Sequence, residues 1–260
     1  MGRLGGDQKN QEIIRKLAFL DLHLDRLWAG AAAIHLALPF SREELVGSIR
    51  EVLDANEMVS DVHVRVMVTR GIKKTPSQDP RLTISGPNVV IIAEHKKASE
   101  DSASRGITLF TSTIRRGSPD YLGPRLNCHS KLHEVQALAQ ALEAGADEAL
   151  MLDVRGFVST CNATNFFIVR GGEVWTSTGA YCMNGITRHN VIRICSENDI
   201  VCREKDFSLF DVYSADEAFV TGSFGGLTPV TKIDGRIIGD GSRPMTERLS
   251  GLYKERVKNG

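Results

Sequence analysis

The second half of the sequence carries two tight turns between apolar segments, and these turns restrict its fold most strongly. Gly171-Gly172 separates "NFFIVR" from "EVWTS", and Asp234-Gly235 separates "TPVTKI" from "RIIG". A Gly-Gly or Asp-Gly pair between two apolar runs is a strong local signal for an antiparallel hairpin. A helix is predicted from "NGITR" onward. Three further strands are predicted, in "DEALMLD", "DIVCREKDF" and "ADEAFVTG".

The first half is predicted to pack helices on a sheet. Ser41 stands three residues before Glu44, which is the spacing of a capping box, and an apolar face with helical period follows. The segment "VHVRVMV" alternates valine with other residues, as a half-buried strand does. The segments "NVVIIA" and "ITLFTSTI" are two more predicted strands of this half.

These patterns predict an α+β protein of two domains. Two glycines and two prolines interrupt the pattern in "RRGSPDYLGP", which places the domain boundary between residues 1–117 and residues 118–260. A helix is predicted just after the boundary, and Gly145 is its predicted stop. Its apolar stripe consists of Leu132, Val135, Ala139 and Leu142.

Composition indicates a small-molecule partner. The 32 basic residues balance the 32 acidic ones, so no net field favours nucleic acid or a membrane surface. The five cysteines are odd in number and scattered, which favours a reducing compartment over a disulfide framework. The polar start "MGRLGGDQKNQE" contains no apolar signal core. A cytoplasmic location is therefore expected.

A metal site is an alternative that the sequence supports weakly. Cys128, His129 and His133 cluster, and the two histidines are one helical turn apart. Their spacing matches no standard zinc motif, so no metal site is predicted.

Several motifs follow one another in a fixed order along the chain. They are "HLDRL" (23–27), "VTRG" (68–71), "GADEALMLD" (145–153), "TNFFIV" (164–169), "NGITR" (184–188), "ADEAFVTG" (215–222) and "TPVTKIDGRIIG" (228–239). Each motif alone is weak, and the whole ordered set covers most of the chain. With this set the chain resembles the class IV aminotransferases, which are fold-type IV pyridoxal phosphate enzymes and include branched-chain and D-amino acid aminotransferases.

The resemblance implies a two-domain α+β fold of the D-amino acid aminotransferase-like type. It also implies a homodimer that binds pyridoxal 5′-phosphate in a cleft and acts on amino acids and 2-oxo acids. The family carries a longer stretch before "HLDRL" than the short polar one found here. Either the sequence begins late or the first domain is expected to lack part of its sheet.

Five residues match positions that hold the cofactor phosphate in the family. Ile186 and Thr187 would bind it through backbone N–H groups at a helix start, and Thr187 also through its hydroxyl. Arg26 matches the family arginine that pairs with the same phosphate. Ser223 and Phe224 match a further phosphate donor, and Ser223 retains a hydroxyl.

Asn127 occupies the position of the family's catalytic lysine. Counting back from Gly145 leads to Asn127, and "PRLN" corresponds to the family pattern Pro-Arg-Ile-Lys without a gap. In the family the lysine forms the covalent bond to the cofactor and then moves the substrate proton. An amide does neither. Any bound cofactor is therefore expected to be held weakly or without a covalent bond.

A second departure is Thr160, which stands where the family has a glutamate facing the pyridine nitrogen. A carboxylate there keeps the nitrogen protonated and the ring a strong electron sink. Threonine does not carry that charge, so a bound cofactor is expected to be a weaker sink.

Two hypotheses follow from the altered residues. In the first, the protein keeps amino-group chemistry, with Lys131 or the substrate amine replacing the lost lysine. Lys131 lies four residues after Asn127, where branched-chain relatives have a tyrosine facing the cofactor, although it is also compatible with a helix lysine in solvent. In the second, the protein is a pseudoenzyme or scaffold that keeps the fold without turnover.

Overall fold

The computed structural model describes residues 17–96, 104–120 and 123–259. Contacts divide the chain into two compact units, residues 1–97 and residues 98–259. The domain boundary between residues 117 and 118 stays a prediction. However, the segment Ile107–Thr111, which its pattern assigns to the first half, pairs with strands of the second unit.

Over the described residues 17–96, the first unit contains two α-helices and a two-stranded sheet. Ser41 Oγ accepts a hydrogen bond from the Glu44 N–H at 3.1 Å, and Glu44 Oε2 accepts one from the Ser41 N–H at 2.7 Å, which confirms the capping box. The core of this unit consists of Leu24, Leu45, Ile49 and Leu53 with neighbouring valines of the first strand. Its elements are α1 (Leu20–Ala33), α2 (Arg42–Ala55), β1 (Val62–Thr69), the 3-10 turn Pro80–Leu82 and β2 (Asn88–His95).

The two strands of the first unit are antiparallel. The register runs from Val62 opposite His95 to Thr69 opposite Asn88. Val62, Val64 and Val66 pack against the helices, so the alternation read from the sequence is confirmed for this strand.

Within its described residues, the second unit is built on a nine-stranded mixed sheet on which four named helices lie. Its strands are β3 (Ile107–Thr111), β4 (Glu148–Leu152), β5 (Val158–Cys161), β6 (Asn165–Arg170), β7 (Glu173–Thr176), β8 (Cys202–Glu204), β9 (Glu217–Gly222), β10 (Gly226–Ile233) and β11 (Arg236–Ile237). Its helices are α3 (Leu132–Glu143), α4 (Ile186–Glu197), α5 (Leu209–Tyr213) and α6 (Pro244–Asn259). The order across the sheet is β5-β4-β3-β10-β9-β6-β7-β8, and β11 pairs with β10.

Both predicted glycine turns form. Gly171 and Gly172 have φ values of 57° and 78°, and β6 and β7 pair antiparallel up to Arg170 opposite Glu173. Asp234 and Gly235 have φ values of 50° and 80° between β10 and β11. Positive φ at both central residues matches the right-handed twist of hairpin strands. These hairpins therefore follow from local sequence.

Helix α3 buries a different face from the one its pattern predicts. Leu132, Val135 and Leu142 are 72%, 61% and 60% exposed. The buried residues are Glu134, Ala137 and Ala141, and the two alanines pack on β4. Small side chains let the helix approach the sheet closely, and Glu134 is buried because it has a cationic partner, described below. The predicted stop is correct, because Gly145 has a φ of 74° and Ala146 N–H donates to Ala141 O at 2.8 Å.

All five cysteines are free thiols. Among the described residues, no helix combines the length and apolar character that crossing a bilayer requires.

Candidate functional site

Helix α4 begins with an amino end that no side chain of the described residues caps. Its N-cap residue is Gly185, with a φ of −64° and a ψ of 146°, and its first turn contains no acidic residue. The first N–H groups of a helix lack intrahelical acceptors, and the helix dipole is positive at this end. Ile186 and Thr187 are both buried. The site therefore suits an anion, as the sequence predicts for these two residues.

Position 185 requires glycine because a neighbouring amide approaches the backbone. Gly185 N–H donates to Asn165 Oδ1 at 3.2 Å. A Cβ at position 185 would lie 2.4 Å from that oxygen. Glycine therefore lets Asn165 bind the chain at the residue before the helix.

We expect Gly185→Ala to weaken the binding of inorganic phosphate or pyridoxal phosphate about tenfold, since overpacking typically costs about 1–3 kcal/mol. The added Cβ forces Asn165 and the helix start apart. Isothermal titration of the full chain measures the dissociation constant. Gly251→Ala, within α6, is the matched control because its Cβ meets no atom within 4 Å. Equal affinity of Gly185→Ala and wild type would contradict the prediction.

Thr187 is held by a residue of α6. Its Oγ1 lies 3.3 Å from the Tyr253 hydroxyl. Burial raises the pKa of Tyr253, so the phenol stays neutral and can donate this bond. When Tyr253 donates, Thr187 keeps its own proton for an anion at the start of α4.

Thr160 lies in β5 with its hydroxyl already bonded. Thr160 Oγ1 donates to Thr164 O at 2.8 Å and accepts from Asn165 Nδ2 at 3.3 Å. The hydroxyl has only one proton, so toward a ligand it can only accept. A buried, neutral acceptor therefore stands at this position.

Ser223 and Phe224 lie in the exposed turn between β9 and β10. Thr221, near the end of β9, is the cross-strand partner of Asn165. Because β9 pairs with β6, the turn that contains Ser223 and Phe224 begins shortly after the residue of β9 that lies opposite Asn165.

Asn127 and Lys131 lie before α3, and both are exposed. Lys131 is the N-cap residue of α3, and its N–H donates to His129 O at 2.8 Å. Within the described residues, neither the Asn127 amide nor the Lys131 ammonium forms a hydrogen bond or an ion pair. The ammonium nevertheless acts on its neighbour, since burial, with the charges of Arg116 and Lys131, lowers the pKa of His133 against the opposing effect of Glu134.

A buried ion pair, absent from the sequence predictions, ties α3 to the segment before α4. Arg116 Nη1 donates to Glu134 Oε1 at 2.7 Å and to His133 Nε2 at 2.8 Å. Arg116 Nε donates to Tyr181 O at 3.2 Å, and Ser159 Oγ donates to the same carbonyl at 3.0 Å. The guanidinium thus joins the start of α3 to the Tyr181 carbonyl on the approach to α4, and Ser159, the neighbour of Thr160, bonds to the same carbonyl.

The comparison of this sequence with known families decides its membership. Residues 10–233 match the family described as amino-transferase class IV. The chain belongs to this family.

Two curated relatives illustrate how much of a class IV aminotransferase the chain spans. It is 38% identical over 241 residues to branched-chain-amino-acid aminotransferase-like protein 2 of Arabidopsis thaliana, covering 92% of this chain and 43% of the relative. It is 34% identical over 244 residues to the branched-chain-amino-acid aminotransferase of Pseudomonas aeruginosa, covering 92% and 78%. The chain thus spans less than half the length of the plant relative.

The solved structures give the same result for the fold. A branched-chain amino acid aminotransferase crystallised with pyridoxamine 5′-phosphate superposes with a TM-score of 0.87 at 30% identity, covering 94% of this chain and 80% of that one. The predicted α+β architecture of the fold-type IV aminotransferases is therefore confirmed.

The residues of this member of the class IV aminotransferase family fit one half of the family's cofactor. The uncapped start of α4 and the Thr187 hydroxyl suit its phosphate. Asn127 and Thr160, the predicted equivalents of the family's lysine and glutamate, carry an amide and a hydroxyl. The donor set thus fits the phosphate, and at the predicted equivalents it offers neither an amine for the covalent bond nor a charged partner for the ring.

Arg26, the remaining predicted phosphate residue, lies in α1 of the first unit. It is half-buried, and its Nη2 lies 3.4 Å from His23 Nδ1. Burial lowers the pKa of Arg26, which stays charged at neutral pH. Its phosphate role stays a prediction.

His23 makes the first unit sensitive to acid. Burial, with the charges of Arg26 and His63, lowers the pKa of His23 from 6.5 to about 4. Because the folded pKa lies below the unfolded one, the contribution of His23 to stability is present above pH 6.5 and is lost as the pH falls toward 4.

The protein is expected to lose unfolding free energy between about pH 7 and pH 4.5, and we expect this loss to be smaller in His23→Gln, as measured by urea denaturation. The same substitution at exposed His95 is the control, and an identical pH dependence for His23→Gln and wild type would refute this assignment.

The described residues contain no group of three or more histidine, cysteine, aspartate or glutamate side chains placed to hold a metal ion. The cluster of Cys128, His129 and His133 does not form such a group.

Proposed function

We propose that this class IV aminotransferase binds pyridoxal 5′-phosphate without a covalent bond and acts on the amino groups of amino acids and 2-oxo acids with altered catalytic residues. The observation that carries the proposal is the start of α4, where buried Ile186 and Thr187 follow an uncapped glycine. The pyridoxamine 5′-phosphate named with the crystallised branched-chain relative supports the cofactor class.

The phosphate would be held by the chain's own donors. The N–H groups of Ile186 and Thr187 and the Thr187 hydroxyl provide neutral donors at the positive end of α4. Ser223 adds a hydroxyl from the turn after β9, and Phe224 adds a backbone N–H. Arg26 adds a charge. When bound, the cofactor supplies a ring that withdraws electrons from the substrate's α-carbon.

Lys131 is proposed to move the substrate proton. Asn127 has no basic group, whereas Lys131 carries an amine at the start of α3, and this amine is unpaired within the described residues. Thr160 faces the ring as a neutral acceptor, so we expect slower turnover than in relatives with a carboxylate there.

The test combines binding, borohydride reduction and turnover. We expect the absorbance of pyridoxal phosphate to change on titration with the full chain, with no adduct retained after borohydride and denaturation. Transamination of a panel of amino and 2-oxo acids should be measurable and lost in Lys131→Met. Lys205→Met is the control for the loss of one lysine. Failure to bind pyridoxal phosphate, or a reducible adduct on any lysine of the wild type, would overturn this proposal.

A second candidate function is a pseudoenzyme that keeps the fold and the phosphate site without turnover. It is favoured by Thr160, whose hydroxyl proton is committed to Thr164 O, and by the loss of the amine at position 127. Both losses affect the same electron flow. Binding of pyridoxal phosphate without transamination of any substrate pair would select this function, and measurable transamination would exclude it.

A homodimer in the cytoplasm completes the proposal. The exposed apolar face of α3 supports association, since exposed patches of this kind mark interaction surfaces. The free thiols support a reducing compartment. Light scattering after size exclusion tests the first point, because a mass of one chain would contradict it.

A further inference from the structure

Asn165, the first residue of β6, makes hydrogen bonds in three directions at the candidate site. It is 6% exposed, although the next four residues of its strand are apolar. A buried amide is costly unless its polar atoms are bonded. The partners of Asn165 therefore indicate why a polar residue stands there.

Its oxygen binds the phosphate end of the site. Asn165 Oδ1 accepts from Gly185 N–H at 3.2 Å, one residue before α4 begins. Its nitrogen also binds the approach to α4, since Nδ2 donates to Met183 O at 2.9 Å. One side chain thus holds the backbone on both sides of Asn184.

The same nitrogen binds the opposite end of the site. Asn165 Nδ2 donates to Thr160 Oγ1 at 3.3 Å, and Thr160 is the residue proposed to face the ring nitrogen. The bond fills one acceptor site of the threonine hydroxyl, whose proton is directed to Thr164 O. Asn165 therefore contacts the residues proposed at both ends of the cofactor.

We propose that Asn165 is a positioning residue that fixes the start of α4 relative to Thr160, so that the phosphate donors and the ring acceptor keep a constant spacing. This inference rests on the proposed function. Among the described residues, Asn165 forms no hydrogen bond with the side chains of Thr187 or Ser223. It acts through Gly185 and Thr160, and the close approach at Gly185, where a Cβ would lie 2.4 Å from Asn165 Oδ1, makes that spacing specific.

The test compares Asn165→Ala with a matched variant at the other end of α4. Asn198→Ala also removes an amide that donates to a carbonyl, since Asn198 Nδ2 donates to Ile194 O at 2.8 Å. The measurements are hydrogen exchange of the Gly185 amide and the dissociation constants of inorganic phosphate and pyridoxal phosphate. For Asn165→Ala we expect about tenfold faster Gly185 exchange and about tenfold weaker binding of both ligands, the effect of losing roughly one buried hydrogen bond. Asn198→Ala should change each by less than about twofold.

The pH dependence of ligand affinity in Asn165→Asp is a measurement that loss of packing alone would not change. The carboxylate still accepts from Gly185 N–H but cannot donate to Met183 O, and its charge opposes phosphate at the helix start. The affinity of this variant relative to wild type should therefore fall as the pH rises from about 5 to 8, whereas that of Asn165→Ala stays constant relative to wild type. This variant also serves if Asn165→Ala does not fold.

The outcomes separate this inference from the proposed function. If wild type binds neither ligand, the proposed function fails, and Gly185 exchange alone decides the role of Asn165. Faster Gly185 exchange in Asn165→Ala than in Asn198→Ala supports the role. Unchanged exchange, or equal effects of Asn165→Ala and Asn198→Ala on binding, overturns it, as does a pH-independent affinity of Asn165→Asp relative to wild type.

Discussion

The double variant Asn127→Lys with Thr160→Glu is expected to form a covalent, borohydride-reducible adduct with pyridoxal phosphate and to raise transamination by about 10⁴–10⁶-fold, the range lost when a covalent nucleophile is removed from an enzyme. The lysine restores both the covalent bond and the proton carrier, and the glutamate restores a charged partner for the ring nitrogen. The phosphate donors on α4 remain unchanged in this variant.

Mass spectrometry after reduction locates the adduct, and a coupled assay with amino and 2-oxo acids measures the rate. Asn127→Met with Thr160→Glu is the control, because it matches the length of the side chain without an amine. Thr160→Glu places a carboxylate at a buried position, so thermal unfolding must show that each variant folds. A folded double variant without an adduct would show that position 127 does not face the cofactor.

Arg116→Met is expected to lower the free energy of unfolding by about 3–5 kcal/mol, the cost of leaving a buried charge without its partner. Glu134 would remain buried. Among the described residues, its carboxylate would then have only His133 beside it, with His133 Nδ1 3.1 Å from Glu134 Oε2. The Tyr181 carbonyl would keep the bond from Ser159 alone. Chemical denaturation measures the difference.

Two further variants make this prediction specific. Arg193→Met removes the cation of an exposed pair with Glu197 within α4 and should cost no more than about 0.5 kcal/mol. Arg116→Met with Glu134→Leu should recover most of the loss, since an apolar pair of similar volume replaces a buried ion pair without an orphan charge. Equal effects of Arg116→Met and Arg193→Met would show that burial of the ion pair does not matter here.

Local patterns predicted the local structure well. The capping box of Ser41 and Glu44 and the turn at Gly171-Gly172 depend on residues a few positions apart, and both formed. The buried face predicted for α3 is wrong. Helical spacing shows which residues share a face, but the face with Ala137 and Ala141 packs on the sheet because small side chains allow close packing.

The candidate site was predictable where a motif names its residue. Ile186 and Thr187 lie at an uncapped helix start as the motif implies. Arg116 and Asn165 were missed, because a lone arginine or asparagine in sequence gives no sign of its partner. The polar opening of an apolar strand at Asn165 was the one available signal.

The sequence by itself determined the family and the hairpin turns, and it predicts the two altered positions, Asn127 and Thr160, since each depends on residue type and order alone. Only the tertiary structure decided which face α3 buries, where the Thr160 proton points and which groups hold the start of α4. Those outcomes depend on partners far apart in the chain, such as Arg116 and Tyr181. Such pairs form only when the fold brings two buried groups within hydrogen-bond distance, and no local pattern encodes them.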